Sequence, residues 1–146
     1  MGRQDSHHPL ISIQIILLMN TEKDFQLRLD AYEFILDECI KYEEKIQSTT
    51  DKIEDALEGQ NIGTAKKLSL TGLNCCAVLT KLYGKFSNEV DSFRDFLSEK
   101  KATLDFGDAE QDFANLVSDQ INENQQSIKK CVMEHQKLFH HIMHEL

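Results

Sequence analysis

One proline and six glycines in 146 residues leave this chain almost without turn punctuation. A fold of many short strands needs a turn roughly every 8–12 residues, so the scarcity argues against a β-rich architecture. Positive charge is also in deficit. The formal net charge is −9, which argues against a nucleic-acid or anionic-membrane surface, because both need a basic field. No C-x-x-C pair is present, and two of the four cysteines (Cys39, Cys75, Cys76, Cys131) are adjacent. Free, mostly buried thiols therefore fit better than two disulfides or a zinc site. With no N-x-S/T sequon either, the expected setting is a reducing, cytoplasmic one.

Catalytic signatures are missing as well. Gly59 and Gly63 flank a turn, but no Lys-Ser/Thr follows to make a phosphate-binding loop. There is no H-E-x-x-H, and no paired E-x-x-H of the di-iron bundle type. Ser, Cys, His and Asp all occur, but no motif sets a nucleophile beside a base. The chain is expected not to be an enzyme and to need no cofactor.

The longest apolar run, Leu10–Met19 (LISIQIILLM), is about half of the roughly 20 residues a membrane span requires. It makes a poor signal peptide: Arg3 is the only cation before it, offset by Asp5, and Asn20-Thr21 is not a small-residue cleavage site. The opening Met1-Gly2-Arg3-Gln4-Asp5-Ser6 fits the loose M-G-x-x-x-S acylation pattern, which is short and frequent by chance.

What the sequence does contain is heptads. Phe25, Leu29, Tyr32, Leu36, Cys39, Glu43, Ile46, Thr50, Ile53 and Leu57 form one stripe, interrupted only by Glu43 and Thr50. A second stripe runs Ile62, Ala65, Ser69, Gly72, Cys76, Leu79, Tyr83, Phe86, Val90, Phe93, Leu97, Lys100 and Leu104. A third runs Phe113, Val117, Ile121, Asn124, Ile128, Cys131, His135, Leu138 and Ile142. Thr21 with Asp24 reads as a starting cap for the first helix, and Gly59 as its terminating glycine. Gly107 reads as a helix end, and Asp108 with Gln111 as a capping box for the third helix. Ser48-Thr49-Thr50, Gly72 and Gly84 are candidate breaks or bends.

Short links near 59–63 and 105–107 make neighbouring helices antiparallel. The fold expected is all-α: an elongated antiparallel bundle of three long heptad-bearing helices, on the order of 50–60 Å long. Residues 21–146 form the bundle domain and residues 1–20 an N-terminal apolar segment, with room for a short fourth helix. Charge fits this pairing. Residues 21–58 carry net −7, residues 59–104 net +3, and residues 105–146 net −5. A basic helix between two acidic ones helps set which helices pair and in what orientation.

Two features point to contact with a partner. Ile11, Ile15 and Leu18 continue the first heptad, yet apolar residues surround them on every side, and a helix apolar all round has to be buried. Either the segment folds back as a fourth helix or it enters another subunit. The alternation Ile11-Ser12-Ile13-Gln14-Ile15 also permits a short strand. In the second helix, Ala65, Ser69, Gly72 and Cys76 put small residues on the core stripe. That stripe allows close helix approach, or a looser end that admits a partner helix.

Histidines crowd the C-terminus: His135, His140, His141 and His144, with Cys131 nearby. His140 and His144 share a helix face, but a stable metal site needs a third or fourth ligand. The acidic pairs Glu33/Asp37, Asp91/Asp95 and Asp108/Asp112 lie off the apolar stripes and read as solvated faces. The function these patterns favour is a non-catalytic protein–protein interaction module, a scaffold, adaptor or assembly subunit acting through helix–helix packing, with either a protein partner or a second copy of itself. The alternatives are a membrane-associated bundle anchored by residues 10–19 and a small metal- or ligand-binding bundle.

Overall fold

The computed structural model describes the backbone of residues 9–103 and 108–146, and the side chains of residues 23–99 and 115–146. It contains three helices: α1 (Pro9–Glu58), α2 (Ile62–Thr103) and α3 (Asp108–Glu145). No strand occurs among the described residues. At 1.5 Å per residue the helices are about 75, 63 and 57 Å long.

Two sequence expectations change at the N-terminus. Residues 9–20 are the first turns of α1 itself, neither a separate fourth helix nor a strand, and Thr21 lies inside the helix instead of capping it. The physical reason is the lack of a breaker. Pro9 takes the first helical position, where its missing N–H costs nothing, and no further Pro or Gly interrupts the chain before Gly59. Thr49 and Thr50 do not break the helix either. Their hydroxyls donate to the carbonyls of Lys45 (2.8 Å) and Ile46 (3.0 Å), which satisfies them inside the bundle.

The α1–α2 turn is built differently from the glycine stop expected. Gln60, not Gly59, adopts the left-handed conformation, with φ 58°. Asn61 N–H donates to Ala56 O (2.8 Å) and Gln60 N–H to Leu57 O (3.0 Å), a Schellman closure with Gln60 at the left-handed position. Asn61 then starts α2: its Oδ1 accepts from Thr64 N–H at 3.1 Å, an N-cap bond. Gly107 lies outside the described residues; α3 does begin at Asp108.

Aromatic contacts fix the register of α1 and α2. Phe25 meets Phe93 edge-on at 5.5 Å between centroids, and Tyr32 meets Phe86 at 5.4 Å. Seven residues up one helix match seven down the other, so the two are antiparallel. Arg28 reinforces the pairing, donating to Ser92 Oγ and lying over the Phe96 ring. Across α2 and α3, Arg94 donates to Asn122 and Gly72 lies under Phe139.

The heptad stripes form the core. Cys39, Ile46, Ile53, Ala65, Cys76, Leu79, Phe86, Val90, Phe93, Ile121, Ile128 and Ile142 are buried. Departures from the stripes as read include Ile62, which is exposed, Phe96, which is buried where Leu97 is half-buried, and Phe139, which is fully buried while Leu138 is not. The last is a matter of packing. The stripe through Ile121, Ile128, His135 and Ile142 can widen toward 124/131/138 or toward 125/132/139. α3 leans chiefly on α2 and touches α1 sparsely; 124/131 and 125/132 are alike half-buried, and only at the last step do the sets part, with Phe139 entering the core and Leu138 left out.

Candidate functional site

The small-residue stretch of α2 is closed from within the chain. Ser69 is fully buried, and its hydroxyl donates to Ala65 O at 2.9 Å. A Cβ on Gly72 would sit 2.5 Å from Cε2 and Cζ of Phe139. At Gly72, then, the stripe lies against Phe139 of α3, and Ser69 is buried within the bundle. Ile11, Ile15 and Leu18 lie in α1, but their side chains fall outside the described residues.

The open surface lies elsewhere, between α1 and α3. These two helices meet at few points because α2 sits between them along its length. Asn124 Nδ2 donates to Tyr32 Oη at 2.7 Å, and Ser127 Oγ donates to Glu43 Oε2 at 3.3 Å. Below these bridges the helices border a groove of about 440 Å³, lined by Ile40, Glu43, Glu44 and Gln47 from α1 and by Ser127, Lys130, Cys131, Glu134 and His135 from α3. Leu138 continues the Cys131 line by one heptad and stays 36% exposed; Ile40 is 39% exposed. Of the residues that line the groove, Ile40 and Cys131 are apolar.

Glu43 is the unusual group here. It stands on the core stripe of α1, half-buried, and burial raises its carboxyl above the ordinary range, while the long bond from Ser127 opposes that shift. Among the described residues no cation pairs with it. Lys130, on the rim, reaches Glu134 at 3.9 Å instead. Glu44 is exposed on the α1 side, and on the α3 side Glu134 and Lys130 leave 61% and 75% of their side chains in solvent.

Cys131 and His135 sit at the groove wall, with Sγ and Nδ1 3.7 Å apart. The arrangement does not make a nucleophile and base. His135 Nδ1 lies 2.7 Å from Cys131 O, a bond that requires the proton on Nδ1, so this nitrogen cannot accept one from the thiol. Burial, with Glu43 and Glu134 adding to it, pushes the Cys131 thiol up to about 11. Cys39 and Cys76 are pushed up to about 11 as well, mainly by burial. All four cysteines are free.

The remaining candidates lie on solvent. His140 and His144 stack with centroids 5.9 Å apart on an exposed face of α3. Glu33, Asp37, Asp91 and Asp95 are exposed, and the side chains of Asp108 and Asp112 lie outside the described set. Among the described residues no three potential ligands converge on one point, and no helix is long and apolar enough to cross a membrane. In comparison with known proteins, the chain matches no family, no curated protein and no solved structure.

The groove was the feature that heptad reading missed. Glu43 as an interruption of the apolar stripe was its one sequence signal, since a carboxylate at a core position costs stability unless something offsets it.

Proposed function

We propose that the chain is a non-catalytic interaction module, a scaffold, adaptor or assembly subunit, that binds other helices along its length. One observation carries this reading: the bundle leaves the α1–α3 groove unfilled, with apolar side chains and a half-buried carboxylate facing it. A three-helix chain built only for its own stability would gain by closing that seam with apolar residues. The four free thiols suit a reducing, cytoplasmic setting. Leu10–Met19 adds a second contact element, because α1 carries eight apolar residues there in ten. Burying one Leu or Ile is worth roughly 1.5–3 kcal/mol, and a monomer seldom leaves a patch of that kind in water.

The test is mass in solution and thermal stability of the full chain against a chain lacking residues 1–20. Loss of that segment is expected to lower the oligomeric state or the melting temperature. Identical mass and melting temperature would make the segment a dispensable tail and remove the self-association part of the reading.

A further inference from the structure

We propose that α1 carries a second apolar stripe, on the face turned away from the core, and that this stripe is an antiparallel interface with a second copy of the chain. The inference rests on the self-association part of the proposed function and names the surface and its occupant.

Leu27 and Phe34 are 67% and 66% exposed, more than any other large apolar residue among those described. They lie one heptad apart and stand opposite Phe25, Leu29, Tyr32 and Leu36 on the helix. Stepping along α1 through them by alternate threes and fours gives Leu10, Ile13, Leu17, Asn20, Asp24, Leu27, Ala31 and Phe34. Because α1 is one unbroken helix from Pro9, these positions share a face. The same steps continued toward the C-terminus meet Glu38, Lys41, Lys45, Ser48, Lys52 and Asp55, so the outer face is apolar at one end of α1 only. The two stripes also account for a segment that is apolar on every side. Ile11, Ile15 and Leu18 keep the register of the core stripe, and Leu10, Ile13 and Leu17 keep the register of the outer one.

The order of residues selects the occupant. Turned end for end about a point near residue 22, the stripe falls on itself: Leu10 opposite Phe34, Ile13 opposite Ala31, Leu17 opposite Leu27, and Asn20 opposite Asp24. Apolar positions meet apolar ones at both ends. The two polar positions meet each other at the centre, where an Asn20 amide can donate to the Asp24 carboxylate of the second copy. A two-fold dimer requires a self-complementary patch of this kind. A lipid surface, or a helix with an unbroken apolar stripe, would instead cover Asp24 without a donor, which costs free energy. Charge permits the pairing: residues 10–34 hold Glu22, Asp24, Asp30 and Glu33 against Lys23 and Arg28, so only net −2 of the chain's −9 lies there.

Sedimentation equilibrium of the full-length protein is expected to give twice the 16.8 kDa of one chain. Leu27→Glu with Phe34→Glu, at positions exposed in the single chain, is expected to raise the dimer dissociation constant at least about a hundredfold while the helical circular-dichroism signal is kept. Leu116→Glu, at an exposed apolar position of α3 outside the stripe, is expected to leave that constant unchanged. A charge pair reads the direction. Leu27→Lys alone is expected to weaken the dimer, and Leu17→Glu added to the same chain to recover at least about tenfold, because antiparallel stripes set 17 against 27 twice. Parallel stripes would set like charge against like and weaken the dimer further. A monomeric full-length protein at about 100 µM, an unchanged dissociation constant for the Leu27→Glu, Phe34→Glu variant, or no recovery with Leu17→Glu would each overturn the assignment. If that variant keeps the wild-type mass while removal of residues 1–20 lowers it, self-association through the segment stands and the outer stripe is not its surface.

Discussion

Gly72 and Gly84 occupy the same helix, and replacing each by Ala should move stability in opposite directions. Both substitutions gain intrinsic helix propensity, about 1 kcal/mol at most. At Gly84 no atom lies within 4 Å of the new Cβ, so Gly84→Ala should stabilise by about 0.5–1 kcal/mol. At Gly72 the new methyl would stand 2.5 Å from two ring carbons of Phe139 and 2.8 Å from a third. Ordinary contact begins near 3.4 Å, so the ring would have to retreat by about 1 Å. Phe139 is fully buried and has no solvent to retreat into, which puts the overpacking cost toward the upper end of about 1–3 kcal/mol. Net of the propensity gain, Gly72→Ala should destabilise by about 1–2 kcal/mol. Urea denaturation followed by far-ultraviolet circular dichroism would resolve the two variants, which should differ by about 2–3 kcal/mol. Phe139→Leu removes the colliding ring edge, so in the Gly72→Ala background it should cost less than it does alone, with a coupling of about 1 kcal/mol. If Gly72→Ala stabilises as much as Gly84→Ala, or if the double variant is additive, Phe139 does not seat on Gly72 and the account of how α3 meets α2 is wrong.

Three further perturbations test other parts of the structure. Phe93→Ala should cost about 3–5 kcal/mol in the same denaturation assay, because the ring is 1% exposed and packs edge-on against Phe25 and Tyr32; a cost below 1 kcal/mol would mean that this end of the core is not closed. Glu43→Gln should stabilise the chain near neutral pH. The folded carboxyl holds its proton to higher pH than the unfolded one, so the wild type gains stability as pH falls and the difference should close below about pH 4.5, whereas a pH-independent difference would remove the desolvation argument. Gln60→Gly should raise stability by about 0.5–1 kcal/mol, since a non-glycine residue at φ 58° carries a steric cost that glycine lacks; a loss would show that the Gln60 side chain contributes something the turn geometry does not.

The fold was legible because an apolar heptad sustained for several turns has only one economical solution, a long helix buried along that stripe. Tyr32, Cys39, Ile46 and Ile53 of α1, and Cys76, Leu79, Phe86 and Val90 of α2, were all readable as core from spacing alone, and all are buried. Helix ends were less legible. A Thr-Asp pair looks like a cap wherever it occurs, and only the lack of a breaker upstream shows that α1 passes through Thr21. Likewise a glycine next to a turn is the natural choice for the left-handed position, yet here Gln60 takes it. The choice between Leu138 and Phe139 could not be made from α3 alone, because both flank the same stripe. It depends on the partner surface, where Gly72 leaves room for a ring.

The same logic explains why the groove was not visible in the sequence. A heptad says that a face is covered without saying by how many neighbours. Three helices with equal stripes can close into a symmetric triangle, or two can lean on the third and leave a seam. Sequence features on α2 decide between these outcomes. At Gly72 the absence of a side chain lets the Phe139 ring of α3 seat against α2. α3 meets α1 only sparsely, and Asn124–Tyr32 and Ser127–Glu43 are polar bridges between them. The small-residue stripe, readable either as close helix approach or as an end that admits a partner, meets Phe139 of α3 at Gly72, away from the groove. Glu43 stands half-buried at the edge of the space between α1 and α3.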